Sequence, residues 1–115
     1  MASPLTTHVL DTSSGRPAAG IEVQLETLDA SGQWQALGAG TTDEDGRIGD
    51  LPAGDAPLAP GTYRLTFHVE AYFRGRGTDS FHTAIPVVFR TQAPEEHIHV
   101  PLLLSPFGYA TYKGS

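Results

Sequence analysis

Three stretches of the chain alternate apolar and polar residues with the period of two that is typical of β-strands. Residues 21–28 read IEVQLETL and residues 62–69 read TYRLTFHV, while residues 85–90, IPVVFR, place three apolar side chains on one face. Each stretch therefore predicts a strand with one face on a core and the other face wetter. Further strands are predicted at residues 5–10, 34–40, 97–104 and 107–113.

Glycine and proline separate these runs, with 13 glycines and nine prolines in 115 residues. They predict turns at residues 11–20 and 29–33, and a long loop at residues 41–61 that contains an Asp45-Gly46 turn. Only residues 69–75 are suited to a short helix. We therefore predict an all-β fold, a β-sandwich of about seven to eight strands with at most one short helix, in a single domain over residues 1–115.

The negative net charge of the chain limits the macromolecules that it is expected to bind. The formal net charge is −6, whereas nucleic acids and anionic membranes recruit basic surfaces, so we expect neither as a partner. The absence of cysteine excludes disulfides and thiol nucleophiles and suits a reducing compartment. Residues 1–10 lack the pattern of a signal peptide, and no apolar run approaches the roughly 20 residues of a membrane helix. We expect a cytoplasmic protein.

Histidines on two predicted strands are the first candidates for chemistry, because this side chain exchanges protons near neutral pH. His97 and His99 lie two positions apart and project to the same side of their strand. His8 lies mid-strand on the face shared by Thr6 and Leu10. The residues alone leave two interpretations open, a metal site with His8 as a third ligand or acid–base catalysis without metal.

Two segments near opposite ends of the chain resemble one family. HVLDTSSGRPAAGIEV (8–23) is similar to the opening signature of the transthyretin-like 5-hydroxyisourate hydrolases, and HVPLLLSPFGYATYKGS (99–115) is similar to their closing sequence. The hormone-carrying transthyretin shares the fold but lacks this ending and has lysine where this chain has His8. The resemblance implies a transthyretin/prealbumin-like sandwich that opens the ring of 5-hydroxyisourate in urate degradation, without metal or other cofactor.

The same resemblance implies roles for five residues. His99 would be the general base or its orienting partner, and His8 would occupy the family's catalytic histidine position and bind substrate. Arg47 follows Asp45-Gly46 and would polarise the attacking water or anchor the ring, since guanidinium suits a planar acidic heterocycle. Ser115 would hydrogen-bond the substrate or transition state, and Tyr112 would line the pocket and bind substrate.

Two further residues are possible supporting members of this site. His97 would either tune His99 or only flank it. Lys113 stands where the family usually has arginine, and it keeps the charge but loses the planar fork that holds anions in a bidentate way. Two smaller departures from the family pattern are Ile98, in place of an aromatic residue, and Ala110, in place of a small polar residue. The remaining histidines, His68 and His82, are treated as surface residues.

The resemblance also implies a homotetramer, a dimer of dimers with its sites at the dimer–dimer interface. A sandwich of this length is expected to fill its interior with its own side chains, so a pocket between its sheets is not expected. Tyr109 and Leu103 would then face a neighbouring subunit. The alternative function is a non-catalytic small-ligand carrier of the transthyretin type, and a structural module cut from a larger protein is a third reading.

Overall fold

Alternating burial along the strands produces two sheets that pack face to face. The computed structural model describes residues 4–51, 57–92 and 97–114, so the predicted catalytic Ser115 lies outside the described residues. The described residues form one helix, α1 (Glu70–Arg74), and nine strands. The strands are β1 (Leu5–Asp11), β2 (Arg16–Pro17), β3 (Glu22–Leu28), β4 (Trp34–Thr41), β5 (Arg47–Ile48), β6 (Gly61–His68), β7 (Ala84–Thr91), β8 (Ile98–Leu104) and β9 (Tyr109–Thr111).

The first sheet has the order β2-β1-β8-β9, with β5 also paired to β1, and the second has the order β4-β3-β6-β7. Strands β1 and β8 run parallel, and the other pairs are antiparallel. Antiparallel neighbours need only short turns, whereas the parallel pair joins segments that lie about ninety positions apart. The predicted all-β sandwich with one short helix is confirmed.

The core fills the space between the two sheets. Along β1, Leu5, Thr7, Val9 and Asp11 are buried while the intervening residues are only half-buried. The facing strand β6 buries Tyr63, Leu65 and Phe67 in the same alternating way. Removing these apolar faces from water is the main force that holds the sheets together. The largest fully buried side chains include Phe67, Phe73, Leu5, Ile21, Leu25, Leu51, Leu65, Ile85, Leu102 and Leu104.

The predicted boundaries need correction at a few places. The last strand covers Tyr109–Thr111 and is shorter than the predicted 107–113. Two strands of two residues each, β2 and β5, lie in segments predicted as a turn and a loop. Such short strands have no readable alternation, so only their pairing with β1 defines them. The helix, five residues long, is the only one in the described segments, and no helix there is long enough to cross a membrane.

A buried carboxylate ties the helix to the end of β1. Asp11 is 2% exposed, and its Oδ2 accepts a hydrogen bond of 2.8 Å from the Tyr72 hydroxyl on α1. Its Oδ1 accepts bonds from the hydroxyl and backbone of Ser13, at 2.6 and 3.0 Å. Burial acts to raise the pKa of Asp11, but the hydrogen bonds together outweigh it and hold the pKa below the ordinary value of 3.8. Burial and the bond to Asp11 raise the pKa of Tyr72 to about 12.

Tyr72→Phe is expected to lower the free energy of unfolding by about 1–3 kcal/mol, because it leaves a buried charged group without one of its donors. The folded pKa of Asp11 lies below 3.8, so its contribution is present above that pH and is lost as the pH falls through the folded pKa. The difference between the two chains should therefore shrink in acid. Urea denaturation at several pH values measures it. Tyr109→Phe, which alters an exposed hydroxyl, is the control, and an equal loss there would contradict the assignment.

Candidate functional site

The outer face of the first sheet gathers the polar side chains that the sequence singles out. On β1, Thr6 and His8 alternate with the buried Leu5, Thr7 and Val9, so both point away from the core. Both are half-buried. The polar side chains of β1 that could take part in a reaction therefore lie on the outer face of the sheet and not between the sheets.

Strand β8 places two histidines beside Thr6. The parallel register sets Thr6 opposite His99, and the Thr6 Oγ1 lies 2.8 Å from His99 Nδ1. The same hydroxyl lies 3.3 Å from His97 Nε2. His97 is exposed and His99 is half-buried, between the buried Ile98 and Val100. The predicted projection of His97 and His99 to the same side of their strand is confirmed.

Strand β5 brings Arg47 to the same face, where it is paired with His8. The loop before it is built around Asp43, whose Oδ1 accepts hydrogen bonds from the backbone of Asp45 and Arg47, each 2.9 Å long. Gly46 has φ of 74°, and a Cβ there would lie 2.5 Å from the Val9 carbonyl oxygen. Only glycine allows this approach, so Gly46 is required for the position of Arg47 beside β1.

These residues surround a shallow cavity of about 280 Å³ on the outside of the sheet. Arg47, His97 and His99 are the charged and titratable side chains that line it. His8 is next to the cavity through its pairing with Arg47. Three parts of the chain that are far apart in sequence thus contribute to one small polar site. The cavity is lined by Thr6, Thr7, Arg47, Ile48, Gly49, His97 and His99.

His99 is held as a neutral imidazole. Its partial burial lowers its pKa below the ordinary 6.5, and the positive charge of Arg47 lowers it further, followed by His8 and His97. A hydrogen bond with the Thr6 backbone opposes this change. A neutral ring has a free lone pair near neutral pH, so His99 is able to accept a proton.

The C-terminal segment crosses directly over His99. The Gly114 N–H donates to the His99 carbonyl oxygen at 2.8 Å, and the two residues form an isolated antiparallel bridge. A Cβ at position 114 would lie 2.6 Å from His99 Cδ2 and 3.3 Å from Cγ. A side chain would therefore displace either the imidazole ring or the segment. The described part of the C-terminal segment belongs to the surroundings of His99, and Ser115 follows it outside the described residues.

Tyr112 and Lys113 do not line the cavity beside His99. They line a groove of about 250 Å³ that opens between β7 of one sheet and β8–β9 of the other. Val87 and Phe89 form part of its apolar wall, and Arg90 also lines it. This groove corrects the expectation that no pocket would lie between the sheets: near the edge strands, the side chains do not fill that space. Within one chain, neither Tyr112 nor Lys113 lines the cavity beside His99.

The two remaining histidines take no part in this cavity. His68 Nε2 lies 3.2 Å from Gln24 Oε1 on the outer face of the second sheet. The His82 ring lies between those of Phe81 and Tyr109, with centroids 4.9 and 5.2 Å apart. The sequence predicts both histidines to be surface residues. Both are in fact half-buried, so each packs against its neighbours more closely than a fully exposed side chain would.

The metal alternative gains no support from the positions of the histidines. Within residues 4–51, 57–92 and 97–114, no three His, Cys, Asp or Glu side chains come together in a way that could hold a metal ion. The charge of Arg47 beside His99 would also oppose a bound cation. The absence of a metal or other cofactor from the reaction stays a prediction.

Two residues of this site have no signal of their own in the sequence. Thr6 is one of many threonines on alternating strands, and only its register with β8 shows that it contacts both His97 and His99. Gly114 belongs to the family-like ending, but its steric role depends on the bridge to His99. A contact between positions over ninety residues apart leaves no local pattern.

Comparison with known proteins identifies the family of the chain. The model of the HIUase/Transthyretin family matches residues 5–114. The chain is 47% identical to the 5-hydroxyisourate hydrolase of Mus musculus over 115 residues, which covers 99% of this chain and 97% of the mouse protein. The solved 5-hydroxyisourate hydrolase of Klebsiella pneumoniae is 37% identical and superposes with a TM-score of 0.83, covering 96% of this chain and 97% of that one.

The hormone-binding branch has the same fold. Sea bream transthyretin, solved in complex with thyroxine, is 34% identical, with a TM-score of 0.88 over 96% of this chain and 94% of that one. The protein therefore belongs to the HIUase/Transthyretin family. Fold alone does not separate its two branches, because both superpose on this chain over nearly its whole length.

Gly114→Ala is expected to displace the His99 ring from Thr6, because the new methyl group would occupy space within 2.6 Å of His99 Cδ2. NMR of the imidazole ¹H–¹⁵N signals should show a clear shift for His99, while the free energy of unfolding changes by less than about 1 kcal/mol, since one bridge is disturbed. Gly108→Ala is the matched control, because its Cβ would meet only Ser105 Oγ at an ordinary 3.7 Å. Unchanged His99 signals in Gly114→Ala would contradict the steric role.

Proposed function

We propose that this protein hydrolyses 5-hydroxyisourate, opening its ring at a lactam C–N bond, with His99, His8, Arg47 and Ser115 as the catalytic residues. The observation that supports this most directly is the cluster of His99, Arg47 and His97 around one open cavity, with His8 paired to Arg47 beside it. The close relatives named 5-hydroxyisourate hydrolase in mouse and Klebsiella pneumoniae support the same activity. The chain is an enzyme of urate breakdown and uses no metal or other cofactor.

His99 acts as the general base. Its neutral imidazole takes a proton from water while the water oxygen attacks the lactam carbonyl carbon. The tetrahedral intermediate then collapses: the C–N bond breaks, the carbon becomes a carboxylic acid, and His99 returns its proton to the departing ring nitrogen. One water is consumed and His99 is regenerated, so neither metal nor covalent enzyme intermediate is needed.

Arg47 stabilises the negative charge that develops on the carbonyl oxygen. Its guanidinium donates several hydrogen bonds in one plane, which suits a flat heterocycle rich in carbonyl groups. His8 lies next to Arg47 in the pairing of β1 with β5 and helps to bind the ring. A positioned charge of this kind acts most strongly where water is partly excluded, as beside the half-buried His99.

Ser115, Tyr112, His97 and Lys113 complete the proposed site. Gly114 lies against His99, which supports a role for the adjoining Ser115 in binding the substrate or transition state. Tyr112 lines a separate groove of the same chain, so its substrate contact, and any support from Lys113, is proposed to be made in the assembled protein. His97 and His99 both contact the Thr6 hydroxyl. His97 is proposed to help hold that hydroxyl in place beside His99 from the exposed side.

Removal of the His99 imidazole is expected to abolish most of the activity. Freshly generated 5-hydroxyisourate should decay rapidly with the native chain, and His99→Ala should lower the catalysed rate by roughly 10²- to 10⁴-fold, the usual contribution of a general base. Deletion of Ser115 should also reduce it strongly. The decay is followed by ultraviolet absorbance against the spontaneous reaction.

The control for this assay is His68→Ala, because His68 lies on the outer face of the other sheet. It should retain the native rate. A folded native chain that does not accelerate the decay would contradict the hydrolase and favour the non-catalytic carrier of the transthyretin type. Full activity in His99→Ala would leave the hydrolase standing and overturn the assigned base.

The working form of the enzyme is proposed to be a cytoplasmic homotetramer, a dimer of dimers that binds neither nucleic acid nor membrane. Exposed aromatic side chains support an assembly: Phe81 is 73% exposed, Phe107 72% and Tyr109 44%, and such groupings commonly mark interfaces. Leu103 is half-buried on the outer face of β8, and a neighbouring subunit would bury it further.

Sedimentation of the native chain at assay concentration should give the mass of four chains. Phe81→Asp combined with Phe107→Asp should lower that mass, because charge would be placed in a contact that excludes water. Two aspartates at exposed positions outside the aromatic group, in place of Gln35 and Thr78, make a matched control. A native monomer would contradict the assembly.

A further inference from the structure

The Thr6 hydroxyl lies between His99 of β8 and His97, the residue that precedes this strand. Its Oγ1 is 2.8 Å from His99 Nδ1 and 3.3 Å from His97 Nε2. The parallel register places Thr6 directly opposite His99, so the backbone of two strands holds this contact. Among the described residues, the Thr6 hydroxyl is the side-chain group that lies within hydrogen-bond distance of His99 Nδ1.

We propose that Thr6 is a positioning residue for the reaction: its oxygen accepts the hydrogen bond of His99 Nδ1–H, which leaves Nε2 as the free lone pair that receives the proton. This inference rests on the proposed function for its effect on turnover, but its effect on the imidazole is independent of any substrate. It gives an exact chemical meaning to a residue outside the predicted site.

The chemistry of the two groups permits this arrangement. A hydroxyl has one proton and two acceptor lone pairs, while a neutral imidazole has one N–H and one acceptor nitrogen. Thr6 can therefore accept from His99 Nδ1–H and donate its own proton to His97 Nε2, which satisfies all three groups. His97 then has its own proton on Nδ1.

The surroundings of the ring favour Nε2 as the reactive nitrogen. A Cβ at Gly114 would lie 2.6 Å from Cδ2, the carbon bonded to Nε2, so the C-terminal segment passes close to the side of the ring opposite Nδ1. A hydrogen bond with the Thr6 backbone acts to raise the pKa of His99. A substitution of the Thr6 side chain leaves that backbone in place, so Thr6→Val tests the hydroxyl alone. The charged and titratable groups that face the ring are Arg47 of β5, His8 of β1 and His97, which precedes β8, while the Thr6 hydroxyl is the side-chain group at Nδ1.

Thr6→Val removes the hydroxyl and keeps the branched shape that suits a strand. In the native chain, ¹⁵N NMR should show His99 with its proton on Nδ1. Thr6→Val should give a mixture of both tautomers, and Thr6→Ser should restore the native pattern because it keeps the hydroxyl. Thr66→Val, the same substitution on the outer face of the other sheet, is the matched control and should leave His99 unchanged.

Turnover of 5-hydroxyisourate provides the second measurement. Thr6→Val should lower kcat at least about 10-fold, since the wrong tautomer disables a catalytic histidine, with KM changed less than about twofold. Thr6→Ser should recover most of kcat. A native His99 with its proton on Nε2, or a tautomer unchanged by Thr6→Val, would overturn the inference. If the native chain does not accelerate the decay, the proposed function fails, and the ¹⁵N spectra still decide the role of Thr6.

Discussion

Parallel pairing between β1 and β8 is the constraint on which the rest of the site depends. Leu5–Asp11 and Ile98–Leu104 pair residue for residue, so the inner faces of both strands contribute to one core while their outer faces bring Thr6 to His99. A shift of one residue would turn the histidines towards the core and the apolar side chains towards solvent. The burial of residues such as Val9 and Leu102 therefore fixes the geometry of the polar site on the opposite face.

A second, smaller constraint determines the position of the Arg47 guanidinium. Strand β5 has only two residues, too few to hold a position by itself, and the preceding loop supplies the rigidity. Asp43 folds that loop by accepting two backbone hydrogen bonds, and Gly46 lets it approach the Val9 carbonyl group. Arg47 thus reaches His8 through local turn chemistry and not through a long sheet. The proposed catalytic residues His8 and Arg47 are therefore positioned by different kinds of interaction.

Sequence reasoning recovers the parts of this structure that have a local signature. Alternation predicts strands β3, β6 and β7 to within one residue at each end, and the spacing of His97 and His99 predicts their shared face. It misses the short strand that contains Arg47, because two residues show no period. It also misses Thr6, since the pairing of positions 6 and 99 depends on the fold of all the chain between them. The family resemblance supplies the roles of His8 and Arg47, which no pattern within the chain could distinguish from a strand histidine and a turn cation.

The cavity beside His99 differs in charge from the protein as a whole, which suits the proposed binding of an acidic heterocycle there. The net charge is −6, yet in the described part of the chain the two ion pairs join Arg64 to Glu26 and Arg74 to Glu70, so Arg47 has no carboxylate partner there. Burial lowers the pKa of His99 most, and the charge of Arg47 lowers it further. A developing oxyanion beside Arg47 would offset that charge and raise the pKa of His99. If His99 is the base, as proposed, it would become stronger at the moment when it must take a proton, because the reaction itself offsets part of the charge that lowers its pKa.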